Sequence, residues 1–335
     1  VAVEHARQQV AQLIGANAEE IIFTSGATES NNLALLGIAE AHQHRGNKII
    51  SGTTEHQSVL DPLRHLEKEK FQVQLLPVET NGHLNLNFLK SAVDSQTILV
   101  SWMAANNEIG TIHPIEKISE IAHSKKALLH CDGVQAVGKI SVDVQKMGID
   151  LLSMSAHKMY GPKGIGALYV KKGTPIAPQI YGGGHERGLR SGTVNVPGIV
   201  GFGKACTIAQ NHLKEESLRL QKLRDHLYQS LKEKIPHLKL NGDLEARLPH
   251  NLNVIFPQVK SEVLMMSLKE IALSAGATCA SANAKLSHVL QAIELSREEI
   301  ECSIRFGLGR FTNLQEIDYV THRIIDFFQK NEVYK

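Results

Sequence analysis

Three apolar runs of this chain each end on residues able to do chemistry. Ile21-Ile-Phe-Thr24 gives way to Ser25-Gly26-Ala27-Thr28-Glu29-Ser30, followed by a helical pattern. Small residues let the backbone close on an anion, free N–H groups at a helix start attract it, and hydroxyls add donors. Ala127-Leu-Leu-His-Cys131 ends at Asp132, with Gly133 and Gln135 just beyond. A carboxylate at a buried strand end needs a cationic partner. Asp150-Leu-Leu-Ser-Met154 runs into Ser155-Ala156-His157-Lys158 and the turn residues up to Gly164. A lysine at a buried strand end has little structural use. With its pKa drawn below roughly 10.4 it can form a Schiff base. Each residue alone also has an ordinary use. Thr28 or Ser30 can cap a turn, Asp132 can sit in a solvated turn before Gly133, and Lys158 can snorkel to the surface.

The combination says more than its parts. An anion cradle, an acid and an amine at three strand ends are the parts of a pyridoxal phosphate site: phosphate binder, pyridinium partner and Schiff-base lysine. Two further strand ends offer His56, which could stack on a planar cofactor or move protons, and Asn106-Asn107-Glu108, where an Asn could bind a ring substituent. Gly164-Ile-Gly166 enters a strand, so it is not a dinucleotide fingerprint, which must enter a helix. Ser274 to Asn283 is built almost wholly of small residues around Cys279. Such a stretch packs poorly, so mobility is expected, and a thiol there could visit a site and then an acceptor. The alternative is a packed cysteine acting as a small hydrophobe, and that reading holds for Cys131, Cys206 and Cys302. Arg305, inside the apolar run Ser303-Ile-Arg-Phe306, needs an anion: a substrate carboxylate or an acid of the protein itself.

The elements that must position these residues are legible as alternating patterns. Candidate strands are Glu20–Thr24, Lys48–Ser51, Val73–Val78, Thr97–Met103, Ala127–Cys131, Asp150–Ser155 and Ala167–Lys171. Several are continuously apolar, as strands buried on both faces are. Helical patterns over Ser30–His44, Ser58–Lys70, Leu86–Val93 and Ile115–Ser124 lie between them, which predicts an α/β layer with a mainly parallel sheet and helices on both faces. Ligands of such sheets bind outside the carboxyl ends of the strands. A long helical stretch from Pro197 towards Ile235 bridges to a smaller α+β region. The division expected is 1–212 for the large domain and 213–335 for the small one, which carries Cys279 and Arg305. Ser296-Arg-Glu-Glu299 and Thr312-Asn-Leu-Gln315 fit the capping-box pattern.

Composition narrows the function classes. With 36 basic and 34 acidic residues the net charge is +2, which disfavours a strongly basic nucleic-acid binder. No apolar stretch approaches the roughly 18–20 residues of a membrane helix. The four cysteines show no metal-finger or thioredoxin spacing. These features lead to the expectation of a reducing, cytoplasmic setting with no metal.

The chain resembles the cysteine desulfurases of the bacterial housekeeping and nitrogen-fixation type. They belong to the class V aminotransferase group of fold-type I pyridoxal phosphate enzymes. The resemblance runs from Val1 to near the C-terminus. It rests on Thr24-Ser-Gly-Ala-Thr-Glu-Ser30, Thr54-Glu-His56, Asn106-Asn-Glu-Ile-Gly110, Ser155-Ala-His-Lys158, Gly182-Gly-Gly-His-Glu-Arg-Gly188, Arg190-Ser-Gly-Thr193 and Ser303-Ile-Arg-Phe306. It implies a seven-stranded, mainly parallel sheet, a homodimer, L-cysteine as substrate and pyridoxal 5'-phosphate as cofactor. By the same resemblance Lys158 is the Schiff-base lysine, Asp132 pairs with the pyridinium nitrogen and Gln135 bonds the ring oxygen. His56 stacks on the ring and takes part in proton transfer. Ala27, Thr28, Ser155 and His157 hold the phosphate, and Thr193 reaches the phosphate of the partner subunit. Asn107 and Arg305 bind substrate, with Arg305 on its carboxylate. Cys279 takes the sulfur as a persulfide, destined for an iron–sulfur scaffold, a sulfur relay or tRNA thiolation.

Relatives of this pattern carry a further N-terminal helix and strand, and often a longer C-terminal tail that serves partner docking. Val1 already stands in a helical pattern, so the start of the chain is expected to be missing here. Ala275 and Thr278 stand where Ser and Ala are frequent. Two competing functions are compatible with the same residues. One is a related class V enzyme, a selenocysteine lyase or aminotransferase, that does not use Cys279. The other is a catalytically inactive docking platform.

Overall fold

The computed structural model describes residues 1–275 and 286–331. The chain divides into two units. The first holds residues 1–77, 84–105 and 113–213, and the second holds 78–83, 106–112 and 214–335. The division within the long helix falls between Leu213 and Lys214. The short segments 78–83 and 106–112, however, join the second unit rather than the first, in which their sequence position had put them.

The first unit is built on a seven-stranded sheet of β1 (Ile21–Thr24), β2 (Lys48–Gly52), β3 (Gln72–Leu76), β4 (Thr97–Met103), β5 (Leu128–Asp132), β6 (Leu151–Ser155) and β7 (Gly166–Val170). Their order across the sheet is β1-β7-β6-β5-β4-β2-β3. The neighbours from β6 to β3 pair in parallel, and β7 pairs antiparallel with both β1 and β6. Every residue of β1, β4, β6 and β7 is buried, which is why these strands read as unbroken apolar runs. Around them stand α1 (Ala2–Leu13), α2 (Ala27–His42), α3 (Gln57–Lys68), α4 (Leu86–Ala92), α5 (Ile115–His123) and the first part of α6 (Val196–Lys234). Leu33, Leu35 and Ile38 of α2 and Val59 and Leu63 of α3 share one core with Ile22, Ile49, Leu99, Leu151 and Leu168 of the sheet. Each such side chain contributes about 1.5–3 kcal/mol on burial. The turn after β1 lies so close on β7 that a Cβ on Gly166 would stand 2.5 Å from the Met154 carbonyl oxygen and 2.7 Å from Gly26 Cα.

The second unit is a four-stranded antiparallel sheet in the order β10-β11-β9-β8, made of β8 (Lys239–Leu240), β9 (Asn251–Ile255), β10 (Ser274–Ala275) and β11 (Ser303–Gly307). The remainder of α6 belongs here, with α7 (Ser261–Ser267), α8 (His288–Ala292), α9 (Arg297–Glu301) and α10 (Leu314–Lys330). Leu220, Leu227 and Leu231 of α6 and Ile317, Ile324 and Phe328 of α10 bury against Leu252, Val254, Ile304 and Phe306. Phe256 packs between Phe306 and Phe328, its ring centroid 6.4 and 5.6 Å from theirs. Ser296 and Glu299 form the expected capping box of α9. The box of α10 sits one residue later than expected, on Asn313 and Glu316. There Asn313 is extended and free to cap, whereas the Thr312 hydroxyl accepts the Gly309 N–H at 2.9 Å.

Candidate active site

At the carboxyl end of β5 the parallel sheet delivers a buried acid. Asp132 is 6% exposed. Its Oδ1 accepts the Val134 N–H at 3.0 Å, and its Oδ2 accepts Asn31 Nδ2 of α2 at 2.9 Å. Burial pushes the Asp132 carboxyl above the usual range. The two donors and the neighbouring basic groups of His56 and Lys158 pull it back down. The solvated turn Asp considered from sequence is therefore not what forms.

On the adjacent strand β6, Ser155 is the last buried residue. A single 3₁₀ turn, Ala156–Met159, then presents His157 and Lys158 at the surface. The lysine is exposed, not buried as a strand-end position suggested, because this turn lifts it off the sheet. Tyr160 closes the turn in the left-handed region at φ 67°. Ser155 Oγ and His157 Nδ1 lie 2.9 Å apart. The His157 pKa is lowered by burial and then by the charges of Lys158 and Lys163.

After β1, the turn is braced by Thr24 Oγ1 and Ser30 Oγ at 2.8 Å, and by Glu29, which accepts the Ser25 N–H at 2.8 Å and Arg190 Nε at 2.7 Å. Neither Thr28 nor Ser30 caps α2: the helix starts directly after Gly26 with no side-chain cap. The first amides of a sixteen-residue helix thus face outward beside Ala27 and Thr28, as an anion site requires. After β2, His56 is the N-cap of α3. Thr28 and His56 line one cleft of about 470 Å³, together with Asn32, Ser58 and Asp61. Gln135 is half-buried in the turn after β5, and Thr193 is exposed.

The donor set fits pyridoxal 5'-phosphate. A dry carboxyl group with raised proton affinity is completed by a protonated pyridine nitrogen, an uncapped helix start by a phosphate, and an exposed amine by an aldehyde. Sequence reasoning missed Asn31, Ser58 and Glu55. Asn31 stands one helical turn beyond Ala27, but nothing local indicates its bond to Asp132, 101 positions away. Glu55 is fully buried and accepts the Met103 N–H at 2.8 Å. Burial pushes its carboxyl well up.

The second unit holds its own polar cluster. Arg305, mid-strand in β11, faces Asn253 of β9 and Ser274 of β10 in the ladder. Its Nη1 donates to the Asn107 carbonyl at 2.7 Å and its Nη2 to Ser274 Oγ at 3.3 Å. Among the described residues no acid pairs with it, so the salt-bridge reading finds no partner there. Asn106 Oδ1 accepts the N–H groups of Glu108 and Ile109 at 2.8 and 3.0 Å. Asn251 and Asn253 donate to the Glu108 carbonyl at 3.2 and 3.0 Å. The Glu108 carboxylate accepts from Ser287 Oγ. Asn106 is therefore spent on its own turn, and Asn107 is the one left to present a side chain.

Cys131, Cys206 and Cys302 are buried free thiols. Burial pushes all three pKa values up, so none is a ready thiolate. Cys279 lies outside the described residues. Among the described residues no cluster of three or more His, Cys, Asp or Glu could hold a metal ion. Nor is any described helix long and apolar enough to cross a membrane.

The aminotransferase class-V family model matches residues 1–320. The cysteine desulfurase IscS of Ehrlichia chaffeensis is 51% identical over 332 residues, which is 98% of this chain and 81% of that protein. The structure of a NifS-like protein superposes with a TM-score of 0.91 at 40% identity, over 98% of this chain and 87% of the other. The structure of SspA in complex with cysteine gives a TM-score of 0.78 at 34% identity, over 93% and 88% of the two chains.

Proposed function

This chain belongs to the aminotransferase class-V family, and from that premise we propose that it is a cysteine desulfurase that depends on pyridoxal 5'-phosphate. The reaction takes L-cysteine to L-alanine. The observation that carries the reading is the buried Asp132, whose proton affinity is raised and whose neighbours include His56 and Lys158. When bound, the cofactor supplies an electron sink for the carbon that loses its proton.

The chain's own residues do the rest. Lys158 holds the cofactor through its amine, Asp132 keeps a proton on the pyridine nitrogen and Gln135 bonds the ring oxygen. His56 stacks on the ring face. The α2 amides beside Ala27 and Thr28, with Ser155 and His157, hold the phosphate. Thr193 serves the phosphate of the partner subunit in a homodimer. Asn107 and Arg305 bind the amino acid, and the planar guanidinium suits a carboxylate. The SspA structure holds cysteine, which supports the choice of substrate. The Cys279 thiolate attacks the substrate sulfur: the carbon–sulfur bond breaks, a sulfur–sulfur bond forms, and the carbon takes a proton. The persulfide then passes to an iron–sulfur scaffold, a sulfur-relay protein or a tRNA-thiolation partner. A reducing cytoplasm suits this work, since the buried thiols stay unpaired.

Absorbance spectra of the chain with pyridoxal 5'-phosphate, before and after L-cysteine, test the reading. A protein-bound band that changes with cysteine is expected. Cys279→Ser should keep the band and lose persulfide formation. Sulfur transfer retained in that variant would overturn the assignment of the carrier. Turnover of an amino donor with a keto acid, indifferent to Cys279, would favour an aminotransferase.

A further inference from the structure

We propose that His56 works from a single tautomer. Its Nδ1 is held as the acceptor that caps α3, the proton of the neutral ring sits on Nε2, and Asn31 and Ser58 are positioning residues that tie this ring to Asp132. The proposal deepens the reading of Asp132, His56 and Lys158 as the cofactor site and rests on it.

The backbone sets the first constraint. His56 is extended, with φ −66° and ψ 152°, and the helix starts at the next residue. Its Nδ1 accepts the Ser58 N–H at 3.1 Å. Asn, Asp, Ser and Thr usually fill this position, and here an imidazole does the same work. A backbone amide can only donate, so Nδ1 must present its lone pair. Ser58 Oγ stands 2.8 Å from the same nitrogen. Facing a lone pair, the hydroxyl must give its proton, and its own lone pairs are left for another donor.

That donor is Asn31, whose Nδ2 lies 2.9 Å from Ser58 Oγ and 2.9 Å from Asp132 Oδ2. Ser58 Oγ has given its proton to Nδ1 and can only accept here, so the amide nitrogen must point this way. The Asn31 oxygen is buried with no hydrogen-bond partner among the described residues, so the orientation is set from the donor side alone. Asn31, Ser58 and Asp132 are 0, 8 and 6% exposed. In so dry a network, reversing one bond strands a buried donor or acceptor. One set of proton positions satisfies the run from Asp132 through Asn31 and Ser58 to His56.

The outer edge of the ring therefore carries an N–H, and in neutral form it offers a hydrogen-bond donor. His56 offers this donor from a ring whose other nitrogen is held by the cap of α3.

The test is nitrogen NMR on the full chain loaded with pyridoxal 5'-phosphate and labelled with ¹⁵N-histidine. It is recorded at about pH 9, well above the ordinary imidazole pKa. His56→Gln identifies the resonances. Nδ1 is expected unprotonated and hydrogen-bonded, and Nε2 protonated. In Asn31→Ala and in Ser58→Ala the ring should keep Nε2–H, because the Ser58 amide remains. The Nδ1 resonance should shift towards that of an unbonded nitrogen. A protonated or averaged Nδ1 in the parent chain overturns the tautomer. An Nδ1 shift unmoved in both variants overturns the positioning role. Cofactor uptake, followed by absorbance in the same samples, separates the two readings. Uptake with the wrong tautomer sinks this inference alone, whereas the right tautomer without uptake sinks the proposed function and leaves the ring assignment standing.

Discussion

The two polar clusters are built on opposite principles. In the first unit, Asp132 ends β5 and Ser155 ends β6, with Lys158 three residues beyond; parallel neighbours bring their carboxyl ends to one edge of the sheet. In the second unit, Arg305 lies in the middle of an antiparallel strand, and it meets Asn107 through a carbonyl rather than an acid. A parallel sheet gathers chemistry at one edge whatever the individual side chains do. An antiparallel sheet has no such edge, so its functional residue sits inside the ladder, here a cation between Ile304 and Phe306 along the strand, with Asn253 and Ser274 facing it across the ladder. The same contrast sets electrostatic character. The first cluster is dry enough to push carboxyls up, as at Asp132 and Glu55. The second satisfies a half-buried guanidinium with neutral oxygens.

Four substitutions put this contrast to the test. Lys158→Ala removes the amine at the parallel-sheet edge, and alanine formation from L-cysteine should fall by about 10³-fold or more. A rate within about ten-fold of the parent would move the chemistry out of the first cluster. Arg305→Lys keeps the charge but loses the planar fork. The KM for L-cysteine should rise about 10- to 100-fold, with kcat changed less. A fall in kcat at constant KM would instead make Arg305 a structural bridge between Asn107 and Ser274.

Glu55→Gln probes the dry character of the first unit. The folded chain holds the Glu55 proton at pH values where the unfolded chain has lost it, because burial raises the folded pKa. The stability this group contributes is complete below the unfolded pKa and is lost as pH rises through the folded one. Glutamine has no proton to lose. Urea unfolding of the cofactor-free chain should therefore show the variant improving on the parent by up to about 1.4 kcal/mol per pH unit above roughly pH 4.3. Parallel stability curves would mean an ionised, compensated Glu55. Glu108→Gln is the mildest change. It turns a charge-assisted bond to Ser287 into a neutral one, at a cost of about 1 kcal/mol or less in thermal unfolding. A larger loss would show that the turn is held by Glu108 itself and not by the amides of Asn251 and Asn253.

Much of this was legible in the amino-acid order. Several strands of the large sheet, β1, β4, β6 and β7 above all, stand out as largely apolar runs, whereas β3 carries Gln72 and Gln74 and buries only Leu76. Asp132, Lys158 and the Ser25–Ser30 turn were found because each lies just past the carboxyl end of such a run. Arg305 was found as a charge out of place. The failures are equally specific. The box of α10 fell on Asn313 because the Thr312 hydroxyl already had a donor. Lys158 proved exposed because a 3₁₀ turn intervenes after Ser155. Segments 78–83 and 106–112 looked like ordinary connections of the first unit.

Periodicities, strand-end chemistry and family are properties of residue order, since each depends on residues within a turn or two of one another. Which polar groups share protons is settled only by folding in three dimensions. Asn31 reaches Asp132 across 101 positions, and Arg305 reaches Asn107 across 198. Hydrogen bonds act over about 3 Å, so a pairing between residues so far apart along the chain exists only once the cores on either side of it have packed.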